Sequence, residues 1–199
     1  METRSLKFIA EACSAEIIGG AADAEVKSVG TDSRSAKAGD LFFAIKGEKF
    51  DGHDFVNEVA VKGAAAIVAQ ASRLCAAKKL TGKMPVPLPG CAVLAVDDVR
   101  VALGKLAAAY RREFALPVIA VGGSNGKTTV KELLASVLRQ KFPTLASEAS
   151  FNNDIGVPIT LLRLEKSHQA AGLEAGTNHP GELAPLVKMI APKFGIITS

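Results

Sequence analysis

The stretch Pro117-Val118-Ile119-Ala120-Val121-Gly122-Gly123-Ser124-Asn125-Gly126-Lys127-Thr128-Thr129 decides the fold. Pro117–Val121 is β-rich and ends at a glycine pair, so it reads as a strand. Lys127–Gln140 reads as a helix, with Val130, Leu133, Leu134, Val137 and Leu138 as its apolar stripe. A strand that feeds a glycine-rich turn and then a helix is the context a phosphate-binding loop requires. Glycines let several backbone N–H groups curl toward phosphate oxygens, and the helix N-terminus adds partial positive charge. Lys127 would reach the β- and γ-phosphates, and the Thr128 hydroxyl would help to hold Mg²⁺. The nucleotide-binding candidates are Gly123, Ser124, Asn125, Gly126, Lys127, Thr128 and Thr129. Val121 stands where the general pattern G-x-x-x-x-G-K-S/T has a glycine, while the core G-x-x-G-K-T is intact. The plain alternative is a glycine-rich turn beside a solvated lysine. The loop alone leaves the nucleotide and the reaction open.

Outward from the loop, β-rich runs alternate with helical patterns, which implies α/β layering. In the segment before it, Val26–Thr31 and Leu41–Ile45 read as strands flanking the polar loop Asp32-Ser33-Arg34-Ser35. Phe55–Lys62 reads as a helix closed by Gly63. Ala64–Ala69 and Ala92–Val96 read as strands, Ser72–Lys79 as a short helix, and Leu80–Gly90, with its prolines, as a loop. Asp98 is placed to cap a helix that buries Val99, Leu103, Leu106 and Tyr110. After the loop, Thr144–Ala146, Ala170–Ala175 and Phe194–Thr198 read as strands. Ile155–Leu164, with Pro158 in its first turn, and Glu182–Ile190 read as helices. The expected domains are 1–112, a small α/β unit, and 113–199, the first part of a phosphate-loop domain with a parallel sheet. A final strand with nothing after it implies an unfinished sheet.

Composition limits the function classes. The 199 residues carry 24 Lys and Arg against 20 Asp and Glu, a net +4 that is scattered, not striped. No basic stripe with interleaved aromatics supports nucleic-acid binding, and a mild positive excess suits anionic small molecules. The 3 cysteines are widely spaced, without a CxxC pair, so neither a disulfide framework nor a zinc site is expected. Reduced thiols fit a cytoplasmic protein. No apolar run reaches the roughly 18 residues of a membrane helix, so no membrane insertion is expected. Glu174 ends a predicted strand inside an apolar run, the edge at which α/β folds form ligand sites. A solvated loop carboxylate is the bland alternative.

The loop Val121-Gly122-Gly123-Ser124-Asn125-Gly126-Lys127-Thr128-Thr129 resembles that of the Mur ligase superfamily, in which Val at the first glycine position is normal. Further stretches match. Phe151-Asn152-Asn153-Asp154-Ile155-Gly156-Val157-Pro158 with Thr160-Leu161-Leu162 is similar to the family's NN-x-x-G-x-P-x-T-L-L segment. Leu173-Glu174-Ala175-Gly176-Thr177-Asn178-His179-Pro180-Gly181-Glu182 is similar to its E-x-G-x-x-x-x-G-E segment. Thr31-Asp32-Ser33-Arg34, Phe43–Glu48 and Asp51-Gly52-His53-Asp54-Phe55 are similar to its nucleotide-sugar-binding end.

The resemblance implies a cytoplasmic three-domain enzyme, expected to be a monomer, of which this sequence carries the UDP-sugar domain and part of the ATP domain. The remainder, including a lysine that family members carbamoylate, lies beyond it. The two central segments favour the member that joins D-alanyl-D-alanine to UDP-N-acetylmuramoyl-tripeptide, with ATP and Mg²⁺ as cofactors. By resemblance, Lys127 stabilises the γ-phosphate, and Thr128 and Glu174 hold Mg²⁺. Asn152 and Asn153 touch the γ-phosphate or the substrate carboxylate, unless they only form a turn. Ser33, Arg34, Lys46, Asp51, Gly52 and His53 border the UDP-sugar; a structural turn at Asp51–His53 and an exposed pair at Ser33–Arg34 stay open. His179 reads better as a helix-capping loop residue than as a ligand. Two other classes compete with a ligase: a binding unit without turnover, and an unrelated phosphate-loop NTPase switch.

Overall fold

A computed structural model describes residues 1–20, 22–73, 90–149, 151–176 and 181–199. The chain divides into two compact units, Met1–Leu103 and Gly104–Ser199. That division falls within the helix Val99–Arg111, and the expected domain boundary at 112/113 falls just after this helix ends.

In the first unit, β1 (Arg4–Ser5) pairs antiparallel with β3 (Glu25–Val26). Between them lie α1 (Leu6–Cys13) and β2 (Glu16–Ile18). Ser5 caps α1, its side chain accepting from the Phe8 N–H at 3.3 Å, and Leu6, Ile9, Ala10 and Cys13 form the buried face. The strand expected over Val26–Thr31 is two strands: β3, and β4 (Ser28–Gly30), which pairs parallel with β5 (Asp40–Phe43). With β6 (Ala66–Gln70) and β7 (Ala92–Val96) they form a five-stranded sheet in the order β2-β7-β6-β5-β4, antiparallel only at β2–β7. Alternate side chains Phe42, Ile67 and Val93 enter one core with Val59 and Ala60 of α2 (Val56–Val61). Leu41, Phe43, Val68 and Leu94, with the opposite parity, are buried too. Burial on both faces explains why these strands read as continuous apolar runs. Gly63, at φ +86, closes α2 as expected. Of the expected helix at Ser72–Lys79 only its start is described, where residues 71–73 are helical; residues 80–89 of the proline-rich loop lie outside the described residues.

Helix α3 (Val99–Arg111) starts under Asp98, whose carboxylate accepts from the N–H of Arg100 (2.8 Å) and Val101 (2.9 Å). In the second unit its Tyr110 is fully buried and donates to the Leu164 carbonyl at 2.6 Å. The sheet there is wholly parallel: β8 (Val118–Gly123), β9 (Thr144–Ala146), β10 (Ala170–Glu174) and β11 (Phe194–Thr198) lie in the order β11-β8-β10-β9. Helices α4 (Lys127–Arg139), α5 (Gly156–Leu161) and α6 (Leu183–Ile190) connect them. The first strand in the chain thus lies between the third and the fourth. The chain runs from β8 to β9 on one side of it and crosses from β10 to β11 on the other, and the carboxyl ends of strands at such a reversal open a crevice.

The stripe expected on α4 is corrected. Leu133 and Val137 are 63% and 69% exposed, while Lys131 and Ala135 are fully buried. The helix is rotated so that Val130, Leu134 and Leu138 flank a buried lysine. A lysine counted as solvent-facing shifts the inferred stripe by one position toward Leu133 and Val137.

Candidate active site

The phosphate loop is the carboxyl end of β8 turning into α4. Gly123 has φ +130, and a Cβ there would lie 2.0 Å from the Thr198 carbonyl oxygen on β11. Only glycine admits both that backbone and that neighbour. Thr198 secures the turn from the other side: its carbonyl accepts the Ser124 N–H at 3.3 Å and its hydroxyl donates to the Gly122 carbonyl at 3.3 Å. Gly126, in the left-handed region at φ +75, is the N-cap of α4, so no capping side chain stands over the helix amides. Lys127 Nζ donates to the carbonyls of Gly123 (2.8 Å) and Ser124 (2.9 Å), which folds its ammonium over the loop.

Glu174 ends β10, the neighbour of β8, and is 1% exposed. Its Oε2 accepts from the Thr128 hydroxyl at 2.7 Å and its Oε1 from Asn152 Nδ2 at 2.8 Å. Its backbone N–H donates to Ser147 Oγ at 3.1 Å. The loop threonine, the strand-end carboxylate and an asparagine of the NN segment therefore converge. Gly176 belongs to the arrangement: a Cβ there would come within 2.6 Å of Asn152 Nδ2, and its N–H donates to the Asn152 carbonyl at 2.9 Å. Asn153 does not converge with them. Its Oδ1 accepts from the N–H of Ile155 (3.1 Å) and Gly156 (2.8 Å) at the start of α5, the turn-forming alternative. Ser147 was not among the expected site residues; it follows β9 directly, at the same sheet edge that singled out Glu174. His179 lies outside the described residues.

These residues fit a Mg²⁺-bound nucleotide. Among the described residues the buried Glu174 carboxylate accepts from two neutral side chains, and a buried carboxylate is a suitable partner for a cation. Among the described residues no three His, Cys, Asp or Glu side chains converge to hold a metal. Mg²⁺ takes one or two carboxylates and completes its shell with water and phosphate oxygens, a demand that Glu174 beside the Thr128 hydroxyl can serve.

The first unit carries its candidates on two turns. Asp32 accepts from the Arg34 backbone N–H (3.0 Å) and grips its guanidinium, Nε at 2.9 Å and Nη2 at 2.6 Å. The Arg34 hydrogen bond holds the Asp32 carboxyl down at about 2. Arg34 itself is exposed, whereas Ser33 is buried, with its carbonyl accepting from Lys62 Nζ at 2.8 Å. On the second turn, Lys46 and Asp51 form an antiparallel bridge, and the Gly52 N–H donates to the Ile45 carbonyl at 2.9 Å. His53 Nε2 accepts the Gln70 N–H at 3.0 Å, so Nδ1 carries the proton that meets Asp51 Oδ1 at 2.7 Å. Burial pushes the Asp51 carboxyl up, and the His53 hydrogen bonds with Arg73 outweigh it, leaving the group below its usual range. With both ring nitrogens engaged, His53 is a turn-building residue. Arg34 and Lys46 are the exposed cations of this unit's candidate set.

Comparison with known proteins finds two family matches along the chain. Residues 25–111 match the Mur ligase family, catalytic domain, and residues 121–199 match the Mur ligase middle domain. The UDP-N-acetylmuramoyl-tripeptide–D-alanyl-D-alanine ligase of Haemophilus influenzae is 37% identical over 195 residues, 96% of this chain and 40% of that protein. A MurF crystal structure from Acinetobacter baumannii superposes with a TM-score of 0.84 at 38% identity, covering 99% of this chain and 41% of that one. The MurF ligase of Thermotoga maritima, solved in complex with ADP, gives 0.69 at 32% identity, covering 83% of this chain and 35% of that one. The chain therefore spans about 40% of the length of the relatives it matches. A phosphate loop facing a buried strand-end glutamate, with one family match ahead of the loop and another running through it, leads to one conclusion: the chain belongs to the Mur ligase family.

Proposed function

We propose that this chain is the UDP-sugar- and ATP-binding portion of a cytoplasmic ligase that joins D-alanyl-D-alanine to UDP-N-acetylmuramoyl-tripeptide in peptidoglycan precursor synthesis. The carrying observation is the convergence of Thr128 and Asn152 on the buried Glu174 carboxylate beside the phosphate loop. The relatives' names and the ADP bound by the Thermotoga protein support the choice of reaction and nucleotide. Residues 1–112 are assigned to the sugar nucleotide and 113–199 to ATP.

A carboxylate is a poor electrophile, because its leaving group would be oxide. Transfer of the γ-phosphate makes an acyl phosphate, which the amine of the dipeptide attacks with loss of phosphate. The protein's part is positioning and charge neutralisation. The loop amides from Gly123 to Thr129 cradle the phosphates. Lys127 exchanges its two loop carbonyls for γ-phosphate oxygens. Thr128 and Glu174 hold Mg²⁺, which offsets phosphate charge when bound, while Asn152 orients the Glu174 carboxylate. In the first unit Arg34 and Lys46 face the diphosphate, Ser33 shapes the first turn, and Asp51, Gly52 and His53 fix the second.

Calorimetry on the 199-residue chain with Mg²⁺-ATP and with UDP-N-acetylmuramoyl-tripeptide tests the reading. Binding of both is expected, and Lys127→Ala should weaken ATP alone. A folded chain that binds neither overturns the proposal, and equal loss of both ligands in Lys127→Ala contradicts two separate sites. Binding of both without phosphate release marks the chain as a binding unit that needs the rest of the ligase for turnover.

A further inference from the structure

Lys131 is fully buried on α4, one turn beyond Lys127 and Thr128. Its ammonium donates to the carbonyls of Ser147 (2.6 Å) and Ala149 (3.1 Å) and pairs with Glu132 Oε1 at 2.7 Å. Three donors thus meet three acceptors. Burying an ammonium is expensive, and an apolar side chain of similar length would fill the same space at less cost. Packing is therefore not what the lysine contributes. It contributes donors aimed at two carbonyls of the segment that leaves β9.

That segment is irregular: Ala149 has φ +45, a conformation that side-chain-bearing residues avoid. It also supports Glu174 twice. Ser147 Oγ accepts the Glu174 N–H, and the chain runs on to Asn152, whose amide donates to Glu174 Oε1. Thr128, whose hydroxyl donates to Glu174 Oε2, lies on the same helix as Lys131. One buried ammonium therefore ties the helix that carries Thr128 to the segment that carries Ser147 and Asn152.

We propose that Lys131 is a positioning residue for the Mg²⁺-nucleotide site: it pins Ser147 and Ala149 to α4, and Asn152 then holds the Glu174 carboxylate opposite Thr128. This rests on the reading of Glu174 as the Mg²⁺-binding carboxylate. Supports of this kind around metal ligands typically change metal affinity by about 10–100-fold.

The test uses the whole chain and the variants Lys131→Met and Lys131→Gln. ATP affinity is measured in EDTA and in Mg²⁺, and the Asn152 side-chain amide is followed by NMR without ligand. For Lys131→Met the gain in ATP affinity on adding Mg²⁺ falls by about tenfold or more. Its affinity in EDTA stays within about twofold, well inside one decade of binding constant, because the phosphate loop is untouched. The Asn152 amide signal moves toward that of a solvated asparagine. Lys131→Gln, shorter but still a donor, lies between Met and wild type, and it carries the test alone if the Met variant does not fold. Equal loss of affinity in EDTA and Mg²⁺ would show a purely structural lysine and overturn the proposal, as would an unchanged Mg²⁺ gain. A wild-type chain without any Mg²⁺ gain refutes the Glu174 reading instead. In that case the NMR signal decides on Lys131, and an Asn152 amide indifferent to both substitutions rejects the role.

Discussion

Replacing Glu174 by glutamine or by alanine separates its work in folding from its work in binding. In the ligand-free chain the carboxylate is 1% exposed and accepts from Thr128 and Asn152. Glutamine keeps an oxygen for Asn152, and the Thr128 hydroxyl turns to accept from the new amide. Every polar atom stays paired and a buried charge disappears, so Glu174→Gln should change stability by no more than about 1 kcal/mol in either direction. Alanine leaves the Asn152 amide and the Thr128 hydroxyl without an acceptor and opens a cavity. Thr128 is exposed and Asn152 half-buried, so water takes up part of the lost bonding; with about 1–3 kcal/mol for an unsatisfied buried donor and the cavity added, Glu174→Ala should lose about 2–4 kcal/mol, partly offset by the removed charge. For a unit of this size that is a fall in Tm on the order of 10–20 °C. Calorimetric titration with ATP in Mg²⁺ and in EDTA then reads the binding role. Both variants should lose the Mg²⁺-dependent gain by about tenfold or more, at about 1.4 kcal/mol per decade, with EDTA affinity retained by Glu174→Gln. A glutamine variant that keeps the full gain would refute the assignment of Glu174 to the metal. One that melts like the alanine variant would refute the hydrogen-bond argument.

Three further outcomes follow from particular contacts. Gly123→Ala meets both a forbidden φ and a backbone oxygen at 2.0 Å, so it should cost about 2–5 kcal/mol, whereas Gly126→Ala, at φ +75 with nothing within 4 Å, should cost about 1 kcal/mol; equal thermal shifts would contradict the close approach of Thr198. The Asp32 carboxyl should titrate at about 2 by NMR, against an ordinary 3.8. Because its folded value is depressed, its small contribution to stability is present above pH 3.8 and is lost as pH falls toward 2, and Arg34→Ala should raise it only part of the way back, since the backbone N–H of residue 34 still donates to it. Tyr110→Phe leaves the Leu164 carbonyl without its buried donor. Denaturant unfolding should show a loss of about 1–2 kcal/mol with an unchanged m-value.

Much of the second unit is legible in the residues themselves. The loop, the strand ending at Glu174 and the NN segment can be read because each combines a periodicity break with glycine or asparagine at a fixed offset. The structure adds their convergence, which no spacing along the chain encodes. Asn152 and Asn153 look equivalent in sequence, yet one side chain meets Glu174 and the other accepts from backbone N–H groups in the turn that enters α5. Lys131 escapes because a lysine on an amphipathic helix is counted on the wet side; only the carbonyls of Ser147 and Ala149 reveal why it faces inward. Helix α1 does carry a signal, with Leu6, Ile9, Ala10 and Cys13 on one face after the Ser5 cap, but its eight residues lie ahead of Val26, where the reading of the first unit begins. The strand over Val26–Thr31 splits because Val26 and Ser28 belong to different sheets, a long-range pairing choice that local propensity does not register.

The grip of Thr198 on the Gly122–Ser124 turn has a consequence for biosynthesis. During translation β8 and α4 leave the ribosome well before β11 exists, and until then the turn lacks the neighbour that shapes it. A stalled nascent chain ending before Phe194 should therefore have the loop's sequence without its nucleotide affinity. On the proposed reading, competence for ATP would arrive in one step, when β11 docks along β8.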